Sequence, residues 1–331
     1  MSSIRQARAW LFVRRRFQFC ATVAMVTVLT GTCGALLMVP NSVLPKLRAT
    51  QPTSIGNLRA ADDDPRLAAV RRTLEPFGQL VTEQVPTGNG QESLVVGHPA
   101  QRAEIDTLAG ELAAATTAVT GVWGPGWAQA AMVVVASNPS EFAALVRSGG
   151  MPADVAAASV ADPFVPGTQP TGQRVVFSSD AGRRLDADGL RTLLRHELTH
   201  IATRAQTVDG APQWMLEGFA EFVAHLGTGH RFADIAPTVA TRIHAGDVPR
   251  DLPTAADFAG SGAVAAYEQA WSVCAFVADQ FDQPRLVELY RRIAAGKQDP
   301  ASEDRIMRDV LGTSRDELVT SWRSWLSARA A

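Results

Sequence analysis

Residues 188–203 read DGLRTLLRHELTHIAT, and this stretch carries the strongest structural signal in the chain. Its apolar residues recur at helical spacing, which predicts a single amphipathic helix. His196 and His200 are four positions apart, so they lie on one face of that helix about one turn from each other. Two imidazoles in this arrangement can bind the same metal ion. The carboxylate of Glu197 is offset around the helix and can therefore reach a water molecule at the metal rather than the metal itself.

A second stretch, residues 212–222 (PQWMLEGFAEF), offers a third ligand for the metal. A tetrahedral catalytic zinc needs three protein ligands and one open position. Glu217 follows His200 after 16 intervening residues. That length allows the first helix to end, a turn at 209–210 to reverse the chain and a second helix to begin near Pro212, since proline suits the first turn of a helix. Packed beside the first helix, the second would direct Glu217 at the metal.

The segments HELTH and WMLEGFAE together resemble the gluzincins, the peptidase MA-type zinc metallopeptidases that include thermolysin and the aminopeptidase-N-like enzymes. The order of elements is similar to that of the small exported peptidase MA-like proteins. The resemblance implies a zincin-like catalytic domain in which His196, His200 and Glu217 hold Zn²⁺ and Glu197 acts as general base. Glu221 lies one turn after Glu217 on the same helix face. The resemblance implies that it orients a zinc-binding imidazole, that of His196, from behind.

Residues 266–271 (AYEQAW) are similar to the Y-E-K-G segment of the aminopeptidase-N-like branch. In that branch the tyrosine hydroxyl stabilises the tetrahedral oxyanion, and the resemblance implies the same catalytic role for Tyr267. The alternative is a structural tyrosine in the core or on a helix surface. No G-x-M-E-N segment precedes the histidine motif, so the amine-recognising element of aminopeptidases is missing.

Secondary-structure patterns divide the chain into two halves and indicate an α+β fold. Residues 61–185 mix helices and strands and form a small strand-containing lobe, whereas the chain from residue 188 onward is almost entirely helical. Short buried strands are predicted at 131–136 and 174–178, with a third candidate at 93–96, and a long amphipathic helix at 100–122. Later helices are predicted near 188–205, 212–227, 263–281, 284–295, 301–311 and 314–328.

Two Gly/Pro-rich stretches, 149–173 and 246–262, are predicted as loops. The strand predicted over 174–178 precedes the histidine-bearing helix, at the position where gluzincins place an edge strand. An extended peptide could add to such an edge through main-chain hydrogen bonds.

The composition is that of a packed globular protein, with 46% hydrophobic and 19% charged residues among 331. The formal net charge of −2 hides an asymmetry, because residues 1–48 contain seven Lys/Arg and no Asp or Glu. The remainder is acidic, so nucleic acid is not an expected partner. The three cysteines are too few, and wrongly spaced, for a disulfide framework or a CxxC metal site.

The basic N-terminus precedes a segment that could span a membrane. Residues 17–39 form 23 positions without a charge, which at ~1.5 Å per residue would cross a ~30 Å hydrocarbon core. The positive-inside rule leaves the basic tail, 1–16, in the cytoplasm and the body outside. The segment is either a retained transmembrane helix or a cleaved signal sequence. Residues 40–60 are predicted to be a linker, and 61–331 a single gluzincin-like peptidase domain.

These features predict a zinc-dependent peptide hydrolase that acts on exported or envelope peptides and proteins, tethered to the cell membrane or secreted. One alternative is a catalytically inactive module of the same fold that binds zinc or peptides. Another is a membrane-tethered interaction protein that uses its helices as docking surfaces. The presence of both Glu197 and Tyr267 favours turnover, because a binding module needs neither.

Overall fold

The computed structural model describes residues 64, 66–147, 155–165 and 167–330. The predicted tail, membrane or signal segment and linker (1–16, 17–39 and 40–60) lie outside the described residues. Among the helices that are described, none is long and apolar enough to cross a membrane.

The first half of the chain builds one five-stranded mixed sheet. Its strands are β1 (Val81–Pro86), β2 (Glu92–Gly97), β3 (Met132–Val135), β4 (Ala157–Val160) and β5 (Arg174–Phe177). Their order across the sheet is β1-β2-β3-β5-β4. The three central strands β2, β3 and β5 run parallel, and the outer strands β1 and β4 are antiparallel to their neighbours. The structure therefore has the predicted α+β character.

The helices account for most of the remaining chain. They are α1 (Leu67–Leu74), α2 (Arg102–Trp123), α3 (Pro139–Val146), α4 (Ala181–Arg184), α5 (Ala187–Thr203), α6 (Gln213–His225), α7 (Phe232–Ile235), α8 (Pro237–His244), α9 (Ala263–Phe281), α10 (Gln283–Ile293), α11 (Pro300–Leu311) and α12 (Arg315–Ala330). Every helix predicted from periodicity has a counterpart within a few residues. The short helices α1, α3, α4, α7 and α8 were not individually predicted.

The central strands are buried on both faces, which is why they consist of near-continuous apolar runs rather than alternating ones. Alternate residues point to opposite sides of the sheet: Val133 and Val175 pack with α2 and α5, while Val134 and Val176 pack with α1 and α3. The apolar side chains therefore form two hydrophobic cores, one on each face of the sheet. The larger core, on the side of α2 and α5, continues from the sheet into the helical half of the chain. Helix α5 is thereby held against the sheet along its apolar face.

Two sequence predictions are wrong at the sheet edge. The stretch 149–173, predicted as a loop, contains strand β4, and the segment 174–178, predicted as the edge strand, lies inside the sheet between β3 and β4. The letters of β4, AASV, include three small residues and none of the β-branched or aromatic enrichment that marks a strand, apart from Val160. Its strand conformation comes from pairing with β5 and from packing beside α5.

Local signals explain why α5 and α6 lie where they do. Helix α5 begins after Asp186, whose side chain accepts a hydrogen bond of 2.9 Å from the backbone N–H of Gly189 and so caps the helix. The predicted turn between the helices is present, and Gly210 has φ 83°, in the left-handed region that favours glycine. Helix α6 then begins directly after Pro212 and packs against both α5 and α9.

Candidate metal and active site

Helices α5 and α6 bring three buried or half-buried donors to one point. The Nε2 atoms of His196 and His200 are 3.0 Å apart. Oε2 of Glu217 lies 3.4 Å from the first of these nitrogens and 3.6 Å from the second. A tetrahedron with metal–ligand bonds of ~2.0–2.1 Å has edges of about 3.3–3.4 Å. The three donors are therefore spaced as three corners of a zinc-sized tetrahedron.

The hydrogen bonding of Glu217 also fits a metal. Its side chain is fully buried, and neither carboxylate oxygen has a hydrogen-bond partner among the described residues. A buried carboxylate without hydrogen bonds is costly unless it is paired with positive charge or coordinates a metal. The side chain of His200 is 19% exposed, so the site opens toward solvent on that side. A divalent cation between the three donors would satisfy Glu217 and leave room for a further ligand.

A second carboxylate stands behind His196. Its Nδ1 lies 3.3 Å from Oε1 of Glu221, on the side of the ring away from the donor cluster. A carboxylate there favours the tautomer with a proton on Nδ1, which leaves the lone pair of Nε2 for a metal. The other oxygen of Glu221 lies 3.4 Å from Nε2 of His225. His225 follows Glu221 by four positions, a spacing that places both side chains on one helix face and is the sequence signal for this contact.

The charges in this cluster shift one another's protonation. Burial alone would raise the pKa of Glu217, but the nearby charge of His200 and the contacts with both imidazoles outweigh it and lower the pKa to about 2. Burial alone would lower the pKa of His196, yet contacts with Glu217 and Glu221 raise it well above its usual value. In the same way, His196 and His225 hold the pKa of Glu221 far below its usual range despite burial. The cluster thus favours two negatively charged carboxylates, Glu217 and Glu221, on either side of a positively charged His196.

The carboxylate of Glu197 lies at the junction of α5 and the sheet edge. Its side chain is almost fully buried, with 4% of the residue exposed. The hydroxyl of Ser159, on β4, lies 2.5 Å from Oε2 of Glu197 and 2.9 Å from its main-chain oxygen. Sequence reasoning missed Ser159 because it missed the strand. Only the pairing of β4 with β5 places this serine beside the helix.

Tyr267 lies on α9, which packs against α6, and it is fully buried with its ring edge-on to Phe258 at a centroid distance of 5.0 Å. Its assignment as the oxyanion donor stays a prediction. The other tyrosine of the chain, Tyr290, exchanges hydrogen bonds with Thr203 and Thr207, and burial raises its pKa to about 12.

Several other aromatic and charged side chains of the chain have structural surroundings. Trp214 and Trp271 belong to the main core. Arg191 forms ion pairs with Glu111 and Asp188 at the surface. His98 is buried in contact with a carboxylate of α3, remote in sequence from the donor cluster.

Comparisons with known proteins give limited help. No protein-family model matches the chain, and no curated protein does either. Among solved structures, an M1 zinc metallopeptidase from Deinococcus radiodurans is similar, with 15% identity and a TM-score of 0.44. The alignment covers 76% of this chain and 52% of that one. A mutant of an M1 zinc metallopeptidase from the same organism bound to a Tyr-Ser-Ala substrate gives the same four values. A two-domain M1 zinc metallopeptidase mutant bound to L-arginine matches at 15% identity and a TM-score of 0.43.

The chain spans about half the length of these solved structures. A TM-score this low does not establish a shared fold.

Proposed function

We propose that this chain is a zinc-dependent peptidase in which His196, His200 and Glu217 hold the metal and Glu197 is the general base. The observation that carries the proposal is the convergence of three donors, one of which is a buried carboxylate, Glu217, that has no hydrogen-bond partner among the described residues. A structural carboxylate would be expected to have hydrogen bonds in so buried a position. The open side at His200 supports a catalytic site over a closed structural one.

A zinc ion bound there supplies Lewis-acid chemistry, because it polarises a carbonyl group and makes water a nucleophile at neutral pH. The protein contributes the proton transfers. The carboxylate of Glu197 would take a proton from the attacking water and later pass it to the leaving amine. Glu221 would keep His196 in the tautomer that binds metal. In this scheme Tyr267 remains the proposed donor to the developing oxyanion.

The open edge of the sheet supports a peptide as the substrate. Ser178 N–H donates to the carbonyl of Ala156 at 2.8 Å, which makes these two residues a hydrogen-bonded pair of the β4–β5 ladder. Along an edge strand, the main-chain N–H and C=O groups of successive residues point alternately toward the neighbouring strand and toward the open side. Ala157 and Ser159 therefore direct their N–H and C=O groups to the outer side, where no described strand pairs with β4. An extended peptide could add there, directly beside Glu197.

The proposed setting follows from the N-terminal segment. The body would lie outside the cytoplasmic membrane, either tethered by one helix or released after cleavage, where exported or envelope peptides and proteins are the available substrates. The net negative charge of the body gives no reason to expect nucleic acid as a partner.

Metal content measured together with turnover tests the assignment. We expect His200→Ala to lose both zinc and peptide hydrolysis, and Glu197→Gln to keep zinc and lose hydrolysis. His244→Ala is a matched control, because this histidine lies on α8 with its ring hydrogen-bonded to its own helix backbone at Ala240. Undiminished zinc content in His200→Ala would refute the ligand assignment.

A further inference from the structure

We infer that Ser159 is a positioning residue that holds the carboxylate of Glu197 in its working orientation, an inference that rests on the proposed function. Ser159 lies in the short outer strand β4, half-buried and facing α5. Its hydroxyl reaches both ends of a single residue: Oε2 of Glu197 at 2.5 Å and the main-chain oxygen of Glu197 at 2.9 Å.

The chemistry of a hydroxyl decides which contact dominates. A serine hydroxyl has one hydrogen to donate, and an ionised carboxylate is a stronger acceptor than a peptide carbonyl. The bond to Oε2 is therefore the preferred one, with the carbonyl as the alternative acceptor. Because the hydroxyl donates to Oε2 from strand β4, it holds the side chain of Glu197 against the sheet edge and disfavours its other rotamers.

Within the part of the chain that the structure describes, the carboxylate of Glu197 has one hydrogen-bonding support. Among the described residues, the hydroxyl of Ser159 is the only group that hydrogen-bonds to its carboxylate. One oxygen, Oε2, is held by the strand, which leaves Oε1 as the oxygen that can meet the attacking water. Without the serine, a carboxylate on a flexible side chain would have to find this orientation from several rotamers, and the proton transfer would slow accordingly.

The side chain and the main chain of Ser159 have different proposed roles: the side chain orients the carboxylate of Glu197, and the main chain could bind a peptide. Its main-chain groups point to the open edge, where a peptide could pair, whereas its side chain points toward α5. Replacement by alanine keeps the main chain and removes only the hydroxyl. The inference therefore predicts an effect on kcat with little effect on KM.

The experiment compares zinc-loaded full-length wild type with Ser159→Ala and Ser159→Thr. Ser178→Ala is the matched control, since Ser178 is a buried serine at the end of the neighbouring strand β5 whose hydroxyl donates to another carboxylate, Asp180, at 2.9 Å. We expect Ser159→Ala to lower kcat about 10-fold, the usual factor for one charge-assisted hydrogen bond. KM and zinc affinity should stay within about twofold. Ser159→Thr, which keeps the hydroxyl, should recover most of kcat, and Ser178→Ala should leave it unchanged.

A second readout needs no turnover. Acetohydroxamic acid chelates zinc and presents a hydroxyl that requires a carboxylate acceptor beside the metal. Calorimetry should show weaker binding of this probe to Ser159→Ala than to wild type, with affinity restored in Ser159→Thr.

The outcomes distinguish the two claims. If zinc-loaded wild type cleaves no peptide, the proposed function fails, and the affinity series alone decides the role of Ser159. An unchanged kcat in Ser159→Ala, or an unchanged probe affinity, would overturn the inference. So would a rise in KM alone, which would make Ser159 a binding residue, or a loss of zinc affinity, which would make its role structural.

Discussion

At the scale of single residues, the site consists of buried ionisable side chains whose charged forms would be disfavoured by burial alone. Glu217 and His196 are both almost inaccessible to water, and each keeps its charge only because the other and its neighbours are there. The raised pKa of His196 favours a proton at this position in the metal-free protein, and a bound metal ion would take the place of that proton. That exchange has a measurable consequence.

Zinc binding should release about one proton per metal ion near pH 7, because the raised pKa of His196 keeps its ring protonated until the metal displaces the proton. The zinc affinity should accordingly fall as the pH is lowered. Calorimetry of zinc binding in two buffers with different ionisation enthalpies measures the proton count. Identical heats in the two buffers would show that His196 does not carry a proton.

Glu268 provides a test of burial at a residue outside the catalytic scheme. It is 2% exposed and accepts a hydrogen bond of 2.7 Å from the N–H of Val239 near the start of α8. Burial raises its pKa to about 7, and the negative charge of Glu221 adds to the effect. Between the ordinary pKa of 4.5 and about 7 the folded state holds a proton that the unfolded state has lost. Stability therefore falls as the pH rises through this window and stays reduced above it.

Glu268→Gln should remove this dependence, because an amide has no charge to bury. The variant should match wild type near pH 4.5 and exceed its free energy of unfolding by about 2–3 kcal/mol at pH 8. Denaturant unfolding at several pH values measures the difference between the two proteins, which cancels the similar contribution of Glu104, whose pKa is also raised to about 7. Parallel stability curves would contradict the assignment.

At the scale of elements, the crossing of α6 and α9 sets the position of Glu217, the proposed third metal ligand. The next residue, Gly218, lies against α9 so closely that an added Cβ would overlap the carbonyl oxygen of Ala270 and lie 3.0 Å from Sγ of Cys274. The glycine in EGFAE thus has a packing reason, since only a residue without a side chain allows this approach.

Gly218→Ala should force α6 away from α9, lower the free energy of unfolding by about 1–3 kcal/mol and weaken zinc binding because Glu217 moves with the helix. Gly110→Ala is the control: Gly110 lies inside α2, and nothing stands within 4 Å of its added Cβ. That change should be neutral or stabilising by up to about 1 kcal/mol. Equal effects of the two substitutions would mean that the close approach does not position Glu217.

The elements also show how far sequence reasoning reaches. Helix α5, its cap and the turn at Gly210 have local signals, and the sequence pattern alone predicts His196, His200 and Glu217 on two neighbouring helices. Strand β4 has no such signal, because its two alanines and its serine are not strand-forming residues and the strand is fixed by its partners. Ser159 was lost with it. Residues that reach a site through sheet pairing are the ones that local patterns miss.

At the scale of the whole molecule, the sequence predicts separate tasks for the N-terminal segment and the body. The body carries the donor cluster, while the segment 17–39 is predicted to export it. We expect the tagged full-length chain to sediment with membranes and to resist alkaline extraction, with the body open to added protease from the outer face. An intact mass would show a retained helix, and a mass that begins after the segment would show a cleaved signal. A chain found in the cytoplasm would contradict both forms of the prediction.

The central claim is that the His196–His200–Glu217 cluster holds a zinc ion with which Glu197 hydrolyses peptides. The most direct measurement is cleavage of a mixed peptide library by the purified full-length chain, with zinc, with a chelator and with zinc restored. We expect cleavage that disappears with the chelator, returns with zinc and falls about 10²–10⁴-fold in a zinc-loaded Glu197→Gln variant. Absence of cleavage by the zinc-loaded wild type, or full cleavage by Glu197→Gln, would contradict the claim.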